Sequence, residues 1–476
     1  MNNKVMKAGI GYTIGNYLLK GLSFLTLPVY SRLLTTEDFG EYSVFLSYET
    51  ILFIVLGFAL HSSYKSAKYR YENNATDPSL SYSKYVSATI MIIAISGCVW
   101  LGIANILYSL IPGFLEMNRI SVNLLVIFSY STAVITCFNS NASLNYKYSS
   151  YLLITGINAV LNTAISIILI LTVFSDNRYM GRTIGTVIPA FMLAVVISIN
   201  FFRKSKPEKT GIYLKWGIAY SFPIIFHGIS QVILSNFDRI MIKRIEGASK
   251  AGIYSFAFTI FMIISITSSS LDNVWGTWAY ERIKSNDFKA IRKYSKYYIL
   301  GLFVFSILIM LISPELIKYI GGPKYYDSKY VVMPIIAAGF FSFLYTIPST
   351  AEYYSEKTKY MAYSTVIAAI INVVLNVIFI KKFGYIAAAY TTLTTYILYF
   401  IFHMIVSNKI MPEFKLPLKT ILITSIGMIA ANFCILYFVD NMIVRFSVMV
   451  ILAAGTVFVE EIKFGYIKKY LGRKGN

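Results

Sequence analysis

Lys20 lies at the centre of the apolar stretch "GYTIGNYLLKGLSFL" (Gly11–Leu25), which contains no acidic residue. A charge at mid-bilayer costs roughly 2.5–3.5 kcal/mol on insertion scales. A lysine kept there is either drawn to an interface by its long stem or turned toward a partner. Its surroundings favour a partner: Thr13, Asn16, Lys20 and Ser23 recur at helical spacing and share one face. A later stretch repeats the pattern with Tyr220, His227, Gln231 and Ser235, and carries Asp238 and Arg239 at its end. Shifted by 207 residues, Lys20 meets His227, Ser23 meets Ser230, and Arg32 meets Arg239. Basic groups recurring at matched places suit the binding of an anion in a desolvated groove. The plainer alternatives are a neutral, hydrogen-bonded core histidine for His227 and an ion pair or interfacial placement for Arg239.

Other polar groups stand out against the apolar background. Asn158 and Asn162, and Asn372 and Asn376, are pairs at i, i+4. They either bond across helices or offer amides to sugar hydroxyls. Glu49 is the one acid deep in an apolar stretch, suited to an ion pair with Lys20 or another cation, or to a coupling proton. His61 and Lys65, again at i, i+4, are either a solvated helix end or two donors for a phosphate, and Asp272 reads as interfacial. Nothing points to catalysis or a metal. Cys98, Cys137 and Cys434 are far apart, each inside an apolar run, with neither disulfide nor metal spacing. "GIGYTIG" has Ile14 where a dinucleotide fingerprint needs its third glycine, and no strand precedes it. No Walker motif, HExxH or glycosyltransferase-like acidic pair occurs, so no enzyme is expected.

Membrane helices must position these residues. Of 476 residues, 57% are hydrophobic and only 14% charged, where a soluble protein carries about a quarter charged. Apolar runs of about 20 residues, enough to cross ~30 Å of hydrocarbon as helices, recur from end to end. The strands of a membrane barrel would be ~10 residues long with alternating polarity. The pattern predicts an all-α polytopic membrane protein with about fourteen transmembrane helices. Six lie near 9–31, 42–62, 85–111, 119–139, 151–174 and 183–202, and six near 213–237, 251–272, 297–320, 330–347, 361–380 and 384–406. Two more lie near 418–439 and 442–459. A net charge of +21 would suggest nucleic acid in a soluble protein. Here Lys and Arg fall roughly two to one in the connections on one side, the positive-inside pattern, which puts both termini in the cytoplasm and leaves no role for nucleic acid. Lys4 and Lys7 precede a stretch too long and polar-speckled for a signal peptide. The connection 273–296 reads as a basic amphipathic surface helix, and Arg239, Lys243, Arg244 and Lys250 as an outer loop.

An internal repeat organises the spans. "GIGY" (Gly9–Tyr12) returns as "GIAY" (Gly217–Tyr220), and "YSKY" occurs at Tyr82–Tyr85 and Tyr294–Tyr297. "INAVLN" (Ile157–Asn162) returns as "INVVLN" (Ile371–Asn376). Gly40 and Tyr42 of "DFGEYSVF" align with Gly252 and Tyr254 of "KAGIYSFAF". The offsets stay between 208 and 214 residues, and matches in constant order are a signal where one alone would be noise. Two six-helix lobes are expected, residues 1–205 and 206–410, with 411–476 supplying two further helices and a basic tail. Six is even, so both halves enter the membrane in the same sense, as in transporters with parallel repeats.

"LPVYSRLLTTEDFGEYSVF" (Leu27–Phe45) and "NFDRIMIKRIEGASKAGIYSFAF" (Asn236–Phe258) resemble the recurrent "R-L-L-x-x-x-x-x-G-x-Y" and "D-R-x-M-I…G-x-Y-S" segments of one family. This is the polysaccharide transporter branch, the Wzx-type O-antigen flippases, of the multidrug/oligosaccharidyl-lipid/polysaccharide exporter superfamily. Length, short loops and duplicated lobes agree across essentially the whole chain. The resemblance implies flipping of an undecaprenyl-diphosphate-linked oligosaccharide to the outer leaflet of a bacterial inner membrane. The glycan would pass through a cationic cavity while the lipid tail stays among membrane lipids, beside other membrane proteins of polysaccharide assembly. Lys20, Arg32, His227 and Arg239 become the expected cationic positions, the two arginines alternatively serving an outer gate where Asp238 could meet Arg32. Asn16, Asn158, Asn162, Gln231, Asn372 and Asn376 become the expected sugar contacts. No cofactor is implied, and coupling to a proton or sodium gradient is left open. The alternatives are a multidrug cation exporter, which would want acids where this chain has bases, a lipid II flippase, and a membrane glycan polymerase or ligase, which would want a long outer loop.

Overall fold

The computed structural model describes residues 15, 21, 24–72, 79–109 and 115–464. No strand occurs among them, and twelve of their helices are long and apolar enough to cross a membrane. The protein is a multi-pass, all-α membrane protein. Residues 24–33 form α1, the described part of the first expected span. α2 (Thr36–Leu56), α3 (Tyr64–Glu72), α4 (Tyr82–Ile106), α5 (Arg119–Leu144), α6 (Tyr148–Thr172) and α7 (Arg178–Lys204) follow. Next come α8 (Thr210–Glu246), α9 (Ala248–Lys284), α10 (Phe288–Leu316), α11 (Lys329–Leu344), α12 (Thr346–Tyr354) and α13 (Lys359–Phe383). α14 (Ile386–Ile410), α15 (Leu418–Tyr437) and α16 (Met442–Phe464) complete the order.

Two connections differ from expectation. The outer loop after the seventh span is helix: α8 runs 37 residues to Glu246, so Arg239, Lys243 and Arg244 belong to it. Only Gly247 separates it from α9, at φ +90°, a conformation that a residue with a Cβ resists. The basic stretch 273–296 is not a separate surface helix. α9 continues through it to Lys284, and α10 begins at Phe288 behind an Asp287 N-cap. Hydropathy marks where a helix leaves the hydrocarbon, not where it stops being helical. Lys, Arg and Glu are good helix formers outside lipid.

The chain forms two compact units. One comprises residues 1–255 and 365–385, the other 256–364 and 386–476, with the divisions falling inside α9 and α13. In the first unit, α2 starts in a capping box: the Asp38 N–H donates to Thr35 Oγ1 (3.0 Å), and the Thr35 N–H to Asp38 Oδ2 (2.9 Å). The other Asp38 oxygen accepts the N–H of Tyr179 (3.1 Å), tying α7 to the same corner. α2 ends at Gly57 in two left-handed residues, Phe58 (φ 49°) and Ala59 (φ 46°), which redirect the chain into a 3₁₀ turn, Leu60–Ser63, and α3.

Gly40 of α2 and Gly252 of α9 bring two helix backbones into close contact. A Cβ on Gly40 would stand 1.8 Å from the Ala248 carbonyl oxygen, and one on Gly252 1.9 Å from that of Thr36. Thr36 Oγ1 and Ser249 Oγ share a hydrogen bond of 2.8 Å beside them. These glycines are the pair aligned by the sequence repeat, so repeat-related backbones cross each other.

The second unit packs apolar side chains around a small polar core. His403 Nδ1 is 2.7 Å from Glu352 Oε1, and His403 Nε2 is 3.1 Å from Ser364 Oγ. Glu352 and His403 are fully buried among rings that include Tyr345 and Tyr399. An Arg445–Glu315 ion pair anchors α16 to α10, and Asp440 accepts from Lys329 (2.6 Å) and Tyr326 (2.9 Å). The Lys329 bond holds the Asp440 carboxyl below the usual carboxylate range.

Two stability measurements follow. Gly252→Ala drives a methyl into a backbone carbonyl and should cost about 1–3 kcal/mol, lowering the thermal midpoint in detergent. Gly301→Ala, with nothing within 4 Å of its Cβ, should leave the midpoint in place. Equal midpoints for the two variants would contradict the tight crossing. His403→Ala leaves the Glu352 carboxyl buried without its partner and should cost roughly 3 kcal/mol, read in the same assay.

Candidate functional site

The interior of the first unit carries the polar groups singled out by spacing, and they divide by whether protein groups satisfy them. α8, α9 and α13 meet at Asp238, which is buried. Tyr254 donates its hydroxyl to Asp238 Oδ2 (2.6 Å), and Asn376 donates its amide to Oδ1 (2.6 Å) and to Asn372 Oδ1 (3.0 Å). Asn372 and Asn376 are 0% exposed. Asn376 thus bonds across helices to Asp238 and within its own helix to Asn372. Asp238 accepts from Tyr254 and Asn376, and Arg32 is exposed. Next to Asp238, Arg239 Nη1 donates to Asn236 Oδ1 (2.6 Å) and to the Ser235 carbonyl (3.2 Å).

The first half builds a related link from repeat-equivalent residues. Tyr42 shares a 3.0 Å hydrogen bond with Thr186, which donates to Asn162 Oδ1 (3.2 Å). Tyr42 aligns with Tyr254 and Asn162 with Asn376, but a threonine stands where the second half uses an acid. A cation lies over this link: the Arg182 guanidinium carbon is 3.3 Å from the Tyr30 ring centroid and 4.8 Å from that of Tyr42. Its Nη1 is buried with no hydrogen-bond partner among the described residues.

Three of the candidates are not satisfied. Glu49 Oε1, Asn158 Oδ1 and His227 Nδ1 are buried without hydrogen-bond partners among the described residues. Pro223, four residues before His227, removes one backbone donor from α8. Gln231 reaches Thr365 Oγ1 at 3.5 Å. Lys20 and Asn16, the first cationic and sugar-contact expectations, lie outside the described residues.

At the end of the unit where α2 and α9 begin, first-half and second-half residues are joined by charge as well as by the glycine crossing. Lys243 Nζ is 2.7 Å from Glu41 Oε2 and donates to the Glu116 carbonyl (3.2 Å). Arg244 stands 3.9 Å from Glu116 Oε1. At the opposite end, α3 and α5 enclose a cavity of about 360 Å³ that contains His61 and Lys65. Between α2, α4 and α5 lies an apolar cavity of about 480 Å³, lined in part by Tyr48, Val55, Trp100 and Leu125. The second unit holds a polar one of about 530 Å³, where Asp272 stands with Glu281, Tyr280, Tyr345, Thr346 and Tyr353.

Spacing missed Arg182, Lys243 and Glu41, and the Glu352–His403 pair. Lys243 reads as part of an outer loop, and Arg182, Glu41 and Glu352 fall between the expected apolar spans. Glu352 lies on α12, eight residues past the end of α11, and His403 is the one histidine of α14.

Residues 5–274 match the family described as polysaccharide biosynthesis protein, and residues 223–378 match MatE. Lsg locus putative protein 1 of Haemophilus influenzae is 21% identical over 383 residues, covering 78% of this chain and 90% of that protein. Among solved structures, the lipid II flippase MurJ in an inward closed conformation superposes with a TM-score of 0.71 at 16% identity, over 96% of this chain and 100% of that one. An inward-facing multidrug resistance MATE family transporter of the MOP superfamily gives 0.59 at 14% identity, over 82% and 95%. At these identities the structural likeness is one of fold, and it is the MOP-transporter fold implied by Leu27–Phe45 and Asn236–Phe258. With residues 5–274, more than half of its length, matching that family, the chain belongs to the polysaccharide biosynthesis protein family.

Proposed function

We propose that the protein is a flippase carrying an undecaprenyl-diphosphate-linked oligosaccharide, an O-antigen or capsule repeat unit, from the cytoplasmic to the outer leaflet of a bacterial inner membrane, with both termini cytoplasmic. The observation that carries the reading is the polysaccharide biosynthesis match over residues 5–274. A polytopic chain without enzyme motifs contributes to glycan assembly by moving a glycan, and one tethered to a lipid is the cargo a membrane protein meets. The fold shared with a lipid II flippase supports the same reading. The MatE match suggests organic cations as a rival cargo. Asp238, the acid at the outer end of α8, is however spent on Tyr254 and Asn376.

The chemistry follows from the cargo. A diphosphate is a dense anion that needs Lys, Arg or His held away from bulk water. Lys20, His227 and Arg239, with Arg32 toward the outer end, supply such groups. Sugar hydroxyls need amides, and Asn16, Asn158 and Gln231 are suited to them. Alternating access then has the repeat halves, residues 1–205 and 206–410, rock about the cargo while 411–476 stay outside the repeat. In this mechanism the Gly40–Gly252 crossing, with Thr36–Ser249 and Lys243–Glu41 around it, is the closed outer gate.

Deleting the gene should leave lipid-linked oligosaccharide on the cytoplasmic leaflet. Lys20→Ala, at matched protein abundance, should cut glycan export roughly tenfold, the worth of one charge-assisted contact; normal export would remove the cavity's main support. Paired substitutions Thr36→Cys and Ser249→Cys, with Cys98, Cys137 and Cys434 replaced, should cross-link across the gate. Export should stop on oxidation and return on reduction. Export that persists in fully cross-linked protein would rule out opening at this crossing.

A further inference from the structure

The cavity at the α3 end of the first unit, about 360 Å³, is lined by two short periodic patterns. Thr136, Asn139, Ser140 and Ser143 stand at i, i+3, i+4 and i+7 toward the end of α5, a polar stripe that faces the cavity. His61 and Lys65 face them, delivered by the left-handed turn at Phe58 and Ala59. No acid lines the cavity.

Its polar groups are not used up by the protein. Lys65 is exposed and, among the described residues, makes no ion pair. Asn139 Oδ1 is buried with no hydrogen-bond partner among the described residues. The negative end of α5, which would repel an anion, is already neutralised: Lys68 donates to the Leu144 carbonyl (3.3 Å) and to Asn145 Oδ1 (2.8 Å). Basic residues dominate this end of the unit. Arg70, Lys147, Arg203, Lys204, Lys206 and Lys209 lie there against Glu72 and Glu208, the composition expected of a cytoplasmic face.

We infer that this cavity is a binding site for a phosphate ester at the cytoplasmic surface, with Lys65 and His61 on the phosphate and Asn139 and Ser140 on the hydroxyls of an attached sugar. A lysine beside an imidazole matches the charge and donor needs of a phosphate. An unpaired amide oxygen among serine hydroxyls offers the acceptor that a sugar hydroxyl seeks and a bare phosphate does not. The assignment of the ligand as a lipid-linked sugar rests on the flippase reading, in which the site is where cargo is first met before it enters the interior. The phosphate itself could equally come from a bilayer phospholipid.

The test is binding to the purified full chain, followed by native mass spectrometry. The probes are farnesyl diphosphate, the same compound bearing one hexose, and phosphatidylglycerol. Lys65→Ala and His61→Ala should weaken both farnesyl probes roughly tenfold, Lys65→Arg should restore most of the loss, and Asn139→Ala should weaken only the hexose-bearing probe. Lys65 and His61 lie at the protein's margin, and matched melting curves establish that the variants are folded. Losses confined to phosphatidylglycerol would keep the phosphate site but overturn its role with cargo. Unchanged binding of all three probes would overturn the site. Because the probes are bound rather than flipped, Lys65-dependent binding stands even where Lys20→Ala leaves export intact, so failure of the site and failure of the flippase reading give different results.

Discussion

How near two helix backbones can come sets the rest of the first unit. α2 and α9 touch at Gly40 and Gly252 with no room for a methyl on either. That contact fixes where Thr36 meets Ser249, and it brings the acidic start of α2 to the basic end of α8, where Glu41 finds Lys243. It also requires the abrupt Gly247 corner, since α9 must begin against α2 directly after α8 ends. Small residues are how helices associate inside a membrane, where lipid is as apolar as any side chain and only close packing and polar contacts favour contact. A crossing held by glycines and one ion pair is tight without being heavily hydrophobic. It can therefore separate without exposing a large greasy face to water.

Repeat-related residues cross here, and the two halves have kept geometry while changing chemistry. Tyr42 and Tyr254 both reach toward an asparagine, Asn162 or Asn376, through one intermediary. In the first half the intermediary is neutral Thr186, and the charge nearby is Arg182, stacked on Tyr30 and Tyr42. In the second it is Asp238, with Arg239 next to it in sequence. A buried acid that accepts from a tyrosine and an amide is held by charge-assisted bonds, stronger than the neutral bonds of its counterpart.

Most of the architecture was legible in the sequence because membrane folding imposes length and polarity on every helix. The fold class follows from composition, and the Gly40–Gly252 alignment was visible as a repeat before it was visible as a contact. What hydropathy could not show was continuity. α8 and α9 run on as helices through Lys243 and Arg282, since charge ends a membrane span but not a helix. Partners were the other gap. The sequence does not reveal that α13, more than a hundred residues away, supplies Asn376 to Asp238. Periodicity tells which residues share a face, and it is silent on which helix that face meets. The Glu352–His403 pair shows the same limit: each residue looks unremarkable until the fold puts them 2.7 Å apart.

Buried polar groups differ in how far the described protein groups satisfy them, which residue type alone does not tell. An unpaired buried polar atom costs about 1–3 kcal/mol, and a whole domain is stable by only about 5–15 kcal/mol. Asn372 and Asn376 pass that accounting, because their bonds close on Asp238 and on each other, and a chain selected only for stability would keep them. Glu49, Asn158 and His227 differ, since each has one buried atom without a hydrogen-bond partner among the described residues. Under the proposed function, a cargo that is part diphosphate and part sugar would bring acceptors for His227 and donors for Asn158. Glu49 differs from the other two in sign. A carboxyl has nothing to offer a diphosphate except repulsion, so within the flippase reading its place is opposite a cation, and Lys20 is the cation that the sequence provides without an acid of its own.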